Sequence, residues 1–394
     1  MPPSSSSRRR EPRPEKPPGP LSPNPWILKL LFSSYRELCP LQDLLPRHLS
    51  LVRLDANENP LGPSPLAREA IRRAAEESHR YPEIAGAGLR ELVAAELGVS
   101  PEQIVFGSGS TELLELLFHV FLRSRRDEVV VPRHSFPLYE MLAQRFGCRA
   151  RVAPDRNFVV DLESLHAAIT PRTRLIFLAN PNNPTGTYVD NTALLDFARR
   201  LPAHVLLALD EAYADYLEDP PHLASAIRDG APIVALRTFS KLHGLASLRI
   251  GYALASPAMA HALQKAALPT NTSGIAQGAA AAALKDRRHQ QESKKVVQEG
   301  RLLLERSFQE SGLTWVPSSA NFVMVRLLHA EQVWKALVRR GVLVRSLDSW
   351  GLPGWLRVTA GRPHELLQFA GGLHATLREL HGKPPSPAQE VGVA

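Results

Sequence analysis

Cysteine is nearly missing: Cys39 and Cys148 are the only two in 394 residues. Two thiols exclude a disulfide framework and a cysteine-rich metal cluster. The fourteen histidines do not gather with cysteines or acids at ligand spacings, so no metal is expected. Long apolar runs are lacking too, since no stretch approaches the roughly 18 residues of a membrane span. The apolar patch at 26–32 is short, is interrupted by Lys29 and has no small-residue cleavage site behind it, which argues against a secretory signal. The run Arg8, Arg9, Arg10 lacks the apolar continuation of a twin-arginine export signal. Glu11 and Glu15 argue against an organellar presequence. A cytoplasmic protein with no membrane partner is the expectation. Charge of one sign is also modest. Of the net +8, +3 lies in residues 1–20, and the +5 left is too diffuse for a nucleic-acid surface. Residues 1–50 carry no helix-turn-helix pattern, and no repeat of solenoid length occurs.

What is present is the composition of an ordinary globular protein, 44% hydrophobic and 22% charged. Residues 1–24 are rich in proline, serine and charge and read as a disordered basic tail. Residues 25–60 read as an N-terminal arm joining the smaller domain, with a helix over 33–51. Helices are predicted over 65–78 and 89–97. A strand–helix alternation then begins, with strands over 103–106, 128–131, 175–179, 205–209 and 233–236 and helices over 111–122, 137–146 and 192–201. The strands are near-continuous apolar runs, the signature of parallel strands covered on both faces. The fold class is therefore α/β: a large domain, 61–270, with a mostly parallel sheet between helices. After about 256 the pattern changes to helices over 258–267, 275–284 and 289–310. Short strands over 314–316, 322–325 and 356–359 follow, with helices over 332–340 and 366–380. These residues, 271–382, predict a smaller α+β domain, and 383–394 a disordered tail.

Chemistry-bearing residues recur just past the strands. Gly107-Ser108-Gly109-Ser110-Thr111 joins a strand to a helix, where free amides, the helix's positive end and two hydroxyls suit an anion. Glu112 stands where a dinucleotide fingerprint needs its third glycine, and a plain N-cap would look the same. Asn180-Pro181-Asn182-Asn183-Pro184-Thr185-Gly186 follows the next strand, at an edge where open α/β sheets bind ligands, though it also suits a simple turn. Asp210 follows the run Leu206 to Leu209 as either a cap or the counter-ion of a buried cation, with Tyr213 one turn on. Ser240-Lys241 follows the run at 233–236, with Arg249 eight residues later. A buried lysine at a strand end has a lowered pKa and suits Schiff-base chemistry. A phosphate cradle, a partner for a ring nitrogen, one for a ring oxygen and an imine-forming lysine make up what pyridoxal 5'-phosphate requires.

The segments LDANENPLGPSP, RYPEIAGAGLRELVA, GSGSTELLELL, PNNPTG, DEAYADY, RTFSKLHGLASLRIGY, PSSANFVMV and WLRVTAG resemble fold-type I pyridoxal-phosphate aminotransferases. Within that group they resemble the histidinol-phosphate aminotransferases, over about residues 51–375. The resemblance implies Lys241 as the lysine bonded to the cofactor, Asp210 on the ring nitrogen, and Asn183 and Tyr213 on the ring hydroxyl. It implies Gly109, Ser110, Thr111, Ser240 and Arg249 around the cofactor phosphate and Phe136 stacked on the ring. Tyr81 would be lent by a second subunit, hence a homodimer. Arg357, with Arg345 and Asn57, would bind the substrate. The implied reaction moves an amino group from histidinol phosphate, a small-molecule donor, to 2-oxoglutarate, a 2-oxo acid, in histidine biosynthesis.

Four positions depart from the family pattern and bear on substrate choice: Thr111 for Asp, His243 for an aromatic residue, Ser247 for Gly, and Leu41 for a tyrosine of the arm. The same motifs also fit an aromatic amino-acid aminotransferase acting on phenylalanine or tyrosine. A decarboxylase of phosphorylated amino acids is a further alternative. Because residues 1–24 carry none of the motifs, their deletion is expected to leave activity essentially unchanged. A large loss of turnover in the truncated protein would contradict this.

Overall fold

The computed structural model describes residues 51–220 and 223–381. Both predicted tails, residues 25–50 of the arm with the helix expected there, Cys39 and Leu41 lie outside the described residues. In chain order the strands are β1 (Val52–Leu54), β2 (Ile104–Gly107), β3 (Glu128–Pro132), β4 (Arg149–Ala153), β5 (Thr173–Ala179) and β6 (Leu206–Asp210). They continue with β7 (Ile233–Thr238), β8 (Gly251–Leu254), β9 (Trp315–Val316), β10 (Phe322–Arg326), β11 (Val342–Ser346) and β12 (Trp355–Thr359).

Seven strands form one sheet in the order β2-β8-β7-β6-β5-β3-β4, and five form a second in the order β1-β11-β12-β10-β9. In the first, β4, β3, β5, β6 and β7 are mutually parallel, and β8 runs antiparallel to both β7 and β2. This is the mostly parallel sheet the strand–helix alternation predicts. Its strands are apolar on both faces because both faces are covered. Ile176, Leu178, Leu207, Leu209, Ile233 and Ala235 enter one core. Their alternates Leu175, Phe177, Leu206, Ala208, Val234 and Leu236 enter the other. Side chains alternate with period two along a strand, and each large one buried contributes about 1.5–3 kcal/mol.

The second sheet takes its edge strand from the start of the described chain: β1 pairs parallel with β11, Val52 opposite Val342. Its core joins Val52 and Leu54 to Phe308, Val323, Val325, Val358 and Phe369.

Four strands, β1, β4, β8 and β11, were not visible in the sequence. β4 reads RARVA and is an edge strand with a mostly open surface, so it lacks the apolar run of its neighbours. β11 is five residues long and follows the helix Ala330–Arg339 almost without a break. The helix Gly274–Lys285 differs in a second way from the boundary expected at 270/271. It buries Ala276, Ala279, Ala280 and Ala283 in a core of the larger sheet, against the helix Pro65–Glu76. Loss of the strand–helix alternation marks where the strands of that sheet end. It does not say on which sheet a following helix leans.

β2, β5, β6 and β7 point the same way, so Gly107, Ala179, Asp210 and Thr238 end at one edge of the sheet. Ligands of open α/β sheets bind at this carboxyl edge. The loop after β7 is clamped there. Asn59 Nδ2 donates to the Leu242 carbonyl at 2.6 Å and to Ser293 Oγ at 3.0 Å. Gly244 has φ +68°, and a Cβ there would run into the backbone of Gly62 and Pro63. Gly244→Ala is therefore expected to cost at least about 1–3 kcal/mol. Denaturant unfolding checks this, and an unchanged midpoint would show that the loop yields freely.

Candidate active site

Asp210 closes β6 and is 6% exposed. Its neighbour β7 delivers Ser240 and Lys241 just past its own end. Lys241 Nζ donates to the Ala56 carbonyl at 3.1 Å and sits 5.7 Å from the centre of the Tyr213 ring. Burial first, then the charges of Arg357 and Arg249, push the Lys241 amine down to about 7, against the opposing pull of Glu58 and Asp210. An amine with that pKa is largely neutral near pH 7 and is a competent nucleophile. Asp210 is raised from the usual carboxylate range by burial, an effect restrained by a hydrogen bond from Tyr139, the Ala212 amide and the Lys241 charge.

Below these two residues lies a cradle for a dianion. The helix Gly109–Phe121 opens with Ser110 and Thr111 at the cavity wall. Glu112, which breaks the dinucleotide pattern, turns back to accept from the Ser108 amide at 2.5 Å and from Asn271 Nδ2 at 2.8 Å. It thus braces the turn. Gly109 has φ +75°, and a Cβ there would strike the Arg249 guanidinium. A Cβ on Gly251 would come within 2.7 Å of the Ser110 nitrogen. Gly109 leaves room for the Arg249 guanidinium, and Gly251 lets β8 pass close to the helix start. Arg249 Nη1 donates to the Ala246 carbonyl at 2.9 Å and to Ser240 Oγ at 3.4 Å. Three hydroxyls, a guanidinium and a helix N-terminus together could hold a phosphate group.

The asparagine-rich turn separates into structural and cavity-facing residues. Asn180 exchanges two 2.8 Å hydrogen bonds with the Val189 backbone. Asn182 donates to the His134 carbonyl at 2.7 Å and accepts from Ser135. Asn183 faces the cavity, where its Oδ1 accepts from Arg357 Nη1 at 2.5 Å. Arg357 Nη2 and Arg345 Nε both donate to the Asp55 carbonyl, at 2.9 and 3.3 Å. Asn57 donates from Nδ2 to the Tyr213 hydroxyl at 2.9 Å, and from its amide to Thr359 Oγ1 at 3.0 Å.

One cavity of about 210 Å³ thus brings together Asn57, Ser110, Thr111, Phe136, Asn183, Asp210, Tyr213, Ser240, Lys241, Arg249, Arg345 and Arg357. Gly109 lies beneath Arg249 rather than on the wall. Tyr81 stands apart, 93% exposed and outside the cavity. Of the departing residues, Thr111 lines the cavity and Ser247 is exposed. His243 is buried 5.0 Å from the Phe239 ring, and burial lowers its pKa so that it serves as a neutral ring. It lines a second cavity of about 490 Å³ behind the lysine loop. Sequence reasoning missed three residues. Trp350 forms cavity wall, 5.3 Å from the Arg357 guanidinium carbon and 6.2 Å from the Phe136 ring. Ala56 acts through its carbonyl, and Tyr139 through a partner 71 residues away. Ala56 lies inside the quoted LDANENPLGPSP segment, but a backbone carbonyl leaves no mark in the residue type.

Residues 50–372 match the family Aminotransferase class I and II. The chain belongs to this family. As an aminotransferase it is 43% identical over 316 residues to a histidinol-phosphate aminotransferase of Akkermansia muciniphila, covering 80% of this chain and 87% of that one. The corresponding protein of Moorella thermoacetica is 43% identical over 331 residues, 83% and 86% of the two chains. Among solved structures, the histidinol-phosphate aminotransferase of Sinorhizobium meliloti in complex with pyridoxal-5'-phosphate matches with a TM-score of 0.79 and 30% identity, over 86% of this chain and 97% of that one. These neighbours carry the fold-type I architecture described above. Among the described residues no helix is long and apolar enough to cross a membrane.

The lowered Lys241 pKa has a direct consequence. In the cofactor-free protein, labelling of Lys241 by an amine-directed reagent should rise with pH through about 7. Ordinary lysines should follow a midpoint of about 10.4. Peptide mass mapping reads both, and a Lys241 midpoint near that of the other lysines would contradict the enclosed site.

Proposed function

We propose that this aminotransferase uses pyridoxal 5'-phosphate to move the amino group of histidinol phosphate to 2-oxoglutarate, giving imidazole acetol phosphate and glutamate in histidine biosynthesis. The observation that carries the substrate assignment is the convergence of Arg345 and Arg357 on one end of the cavity, opposite a separate cradle at Ser110, Thr111, Ser240 and Arg249. Two guanidiniums at the substrate end suit a phosphate dianion better than a single carboxylate. The second cluster then remains for the cofactor's own phosphate. The relatives named histidinol-phosphate aminotransferase support the same assignment.

The cavity's residues fit the cofactor. Gly109 and Gly251 leave the space in which the cradle closes, and the Lys241 amine is neutral enough to bond a carbonyl carbon. When bound, the cofactor supplies an electron sink for the charge left on the donor's Cα. Asp210 holds a proton at the ring nitrogen as its buried counter-ion. Asn183 and Tyr213 orient the ring hydroxyl, with Asn57 fixing the Tyr213 phenol from behind. Phe136 covers a ring face. Freed when the donor's amine takes its place, Lys241 Nζ would take the Cα proton as general base and, as general acid, give it to the carbon that its own amine had held. Arg357 and Arg345 exchange their contacts with Asn183 and the Asp55 carbonyl for the donor's phosphate, which fixes the Cα–H bond towards Lys241.

A homodimer in the cytoplasm completes this assignment. Tyr81, Ile84 and Leu268 are 93%, 74% and 72% exposed, large side chains left open on a single chain. Tyr81 is outside its own chain's cavity, where a second subunit would receive it. The decisive experiment is a single-turnover assay on the cofactor-loaded enzyme with L-histidinol phosphate, L-phenylalanine and L-tyrosine, followed by the cofactor's spectral change. Fast conversion with histidinol phosphate alone is expected. Preference for the aromatic acids would make this an aromatic amino-acid aminotransferase, and conversion by none of the three would overturn transamination of these donors.

A further inference from the structure

Tyr139 stands three residues after Phe136 and has no role assigned from the sequence, yet its phenol touches the site's central acid. It is fully buried, and its O–H donates to Asp210 Oδ2 at 2.8 Å. An aromatic stack holds it there. The Tyr139 ring lies 5.0 Å from Phe177 at 14°, and Phe177 lies 5.3 Å from Phe118 at the same angle. Its edge meets the Phe136 ring at 5.7 Å and 87°. The phenol is thus fixed by packing and has no freedom to seek another acceptor. The other carboxylate oxygen, Oδ1, accepts from the Ala212 amide at 3.2 Å. One contact on each oxygen sets the plane of the carboxylate.

A carboxyl group as buried as Asp210 is pushed towards its neutral form, and hydrogen bonds donated to it oppose that push. A neutral Asp210 is no counter-ion for a protonated ring nitrogen. We propose that Tyr139 is a positioning residue for the transamination: its O–H keeps Asp210 ionised and oriented, and so keeps the cofactor's ring nitrogen protonated. The same ring braces Phe136, so one side chain aligns both the edge and the face contacts of the cofactor ring. This rests on the cofactor assignment made above.

Tyr139→Phe removes the O–H and retains the stack. With cofactor labelled with ¹⁵N at the ring nitrogen, the wild-type nitrogen signal should report protonation at neutral pH. In Tyr139→Phe a deprotonated share should appear at the same pH, with the cofactor still bound. Loss of a donor to the anion raises the Asp210 pKa, so the acid limb of the donor half-reaction should move to higher pH in the variant. Its rate at neutral pH should fall by about 10- to 100-fold, the range of a hydrogen bond to a charged group. In an Asp210→Asn background the same substitution should add no further slowing. An unchanged nitrogen signal with an unmoved acid limb would overturn the proposal, as would a full additional loss in the Asp210→Asn background. The nitrogen signal needs no donor, so a wrong donor assignment would show as absent turnover with this comparison intact.

Discussion

Enclosing a lysine amine beside two arginines is the constraint on which the rest of this structure depends. Lys241 loses water and gains the repulsion of Arg357 and Arg249, and the amine responds by giving up its charge near neutral pH. Such a group is held only where the surroundings are over-determined. The loop that carries it is tied by Asn59 at Leu242 and seated by Gly244 against Gly62. The amine itself is tied to the Ala56 carbonyl. These tethers come from the segment between β1 and the helix Pro65–Glu76, so the first described residues of the chain hold Lys241 in place. The same segment anchors both Arg345 and Arg357 through the Asp55 carbonyl.

A second consequence is that the two sheets share one site. Asp210, Asn183 and Lys241 follow strands of the larger sheet, whereas Arg345 and Arg357 lie on β11 and β12 of the smaller one. The Arg357–Asn183 hydrogen bond crosses between them, as does the contact of Asn57 with Tyr213 and Thr359. A donor's anionic group that takes over Arg357 therefore acts on the junction of the two sheets as well as on its own affinity. Under the proposed function, Asn183 would stand between the donor's anchor at Arg357 and the cofactor ring.

Much of this was legible in the chain because the sheet is buried on both faces. Runs such as Leu206 to Leu209 and Ile233 to Leu236 announce strands, and the residues past each run lie at the edge where ligands of open α/β sheets bind. Asp210 stands out as a carboxylate directly after an apolar run, and Lys241 by its place in the loop that follows the next one. Edge strands such as β4 and short ones such as β11 carry no such contrast, and the alanine face of Gly274–Lys285 does not tell which core it enters. The site's supporting shell was the least legible part. Tyr139, Trp350 and the Ala56 carbonyl matter through partners far away in sequence, a relation that only the folded packing creates. Glu112 is the opposite case: a residue that spoils one phosphate motif proves to brace another.

In the proposed function one enclosed amine, that of Lys241, holds the cofactor. Borohydride treatment of the cofactor-loaded enzyme, which fixes the cofactor to whichever amine it is bonded to, followed by peptide mass mapping, tests it most directly. The cofactor's added mass on the peptide containing Lys241 alone is the predicted result. The same mass on another lysine, or on none, would contradict it.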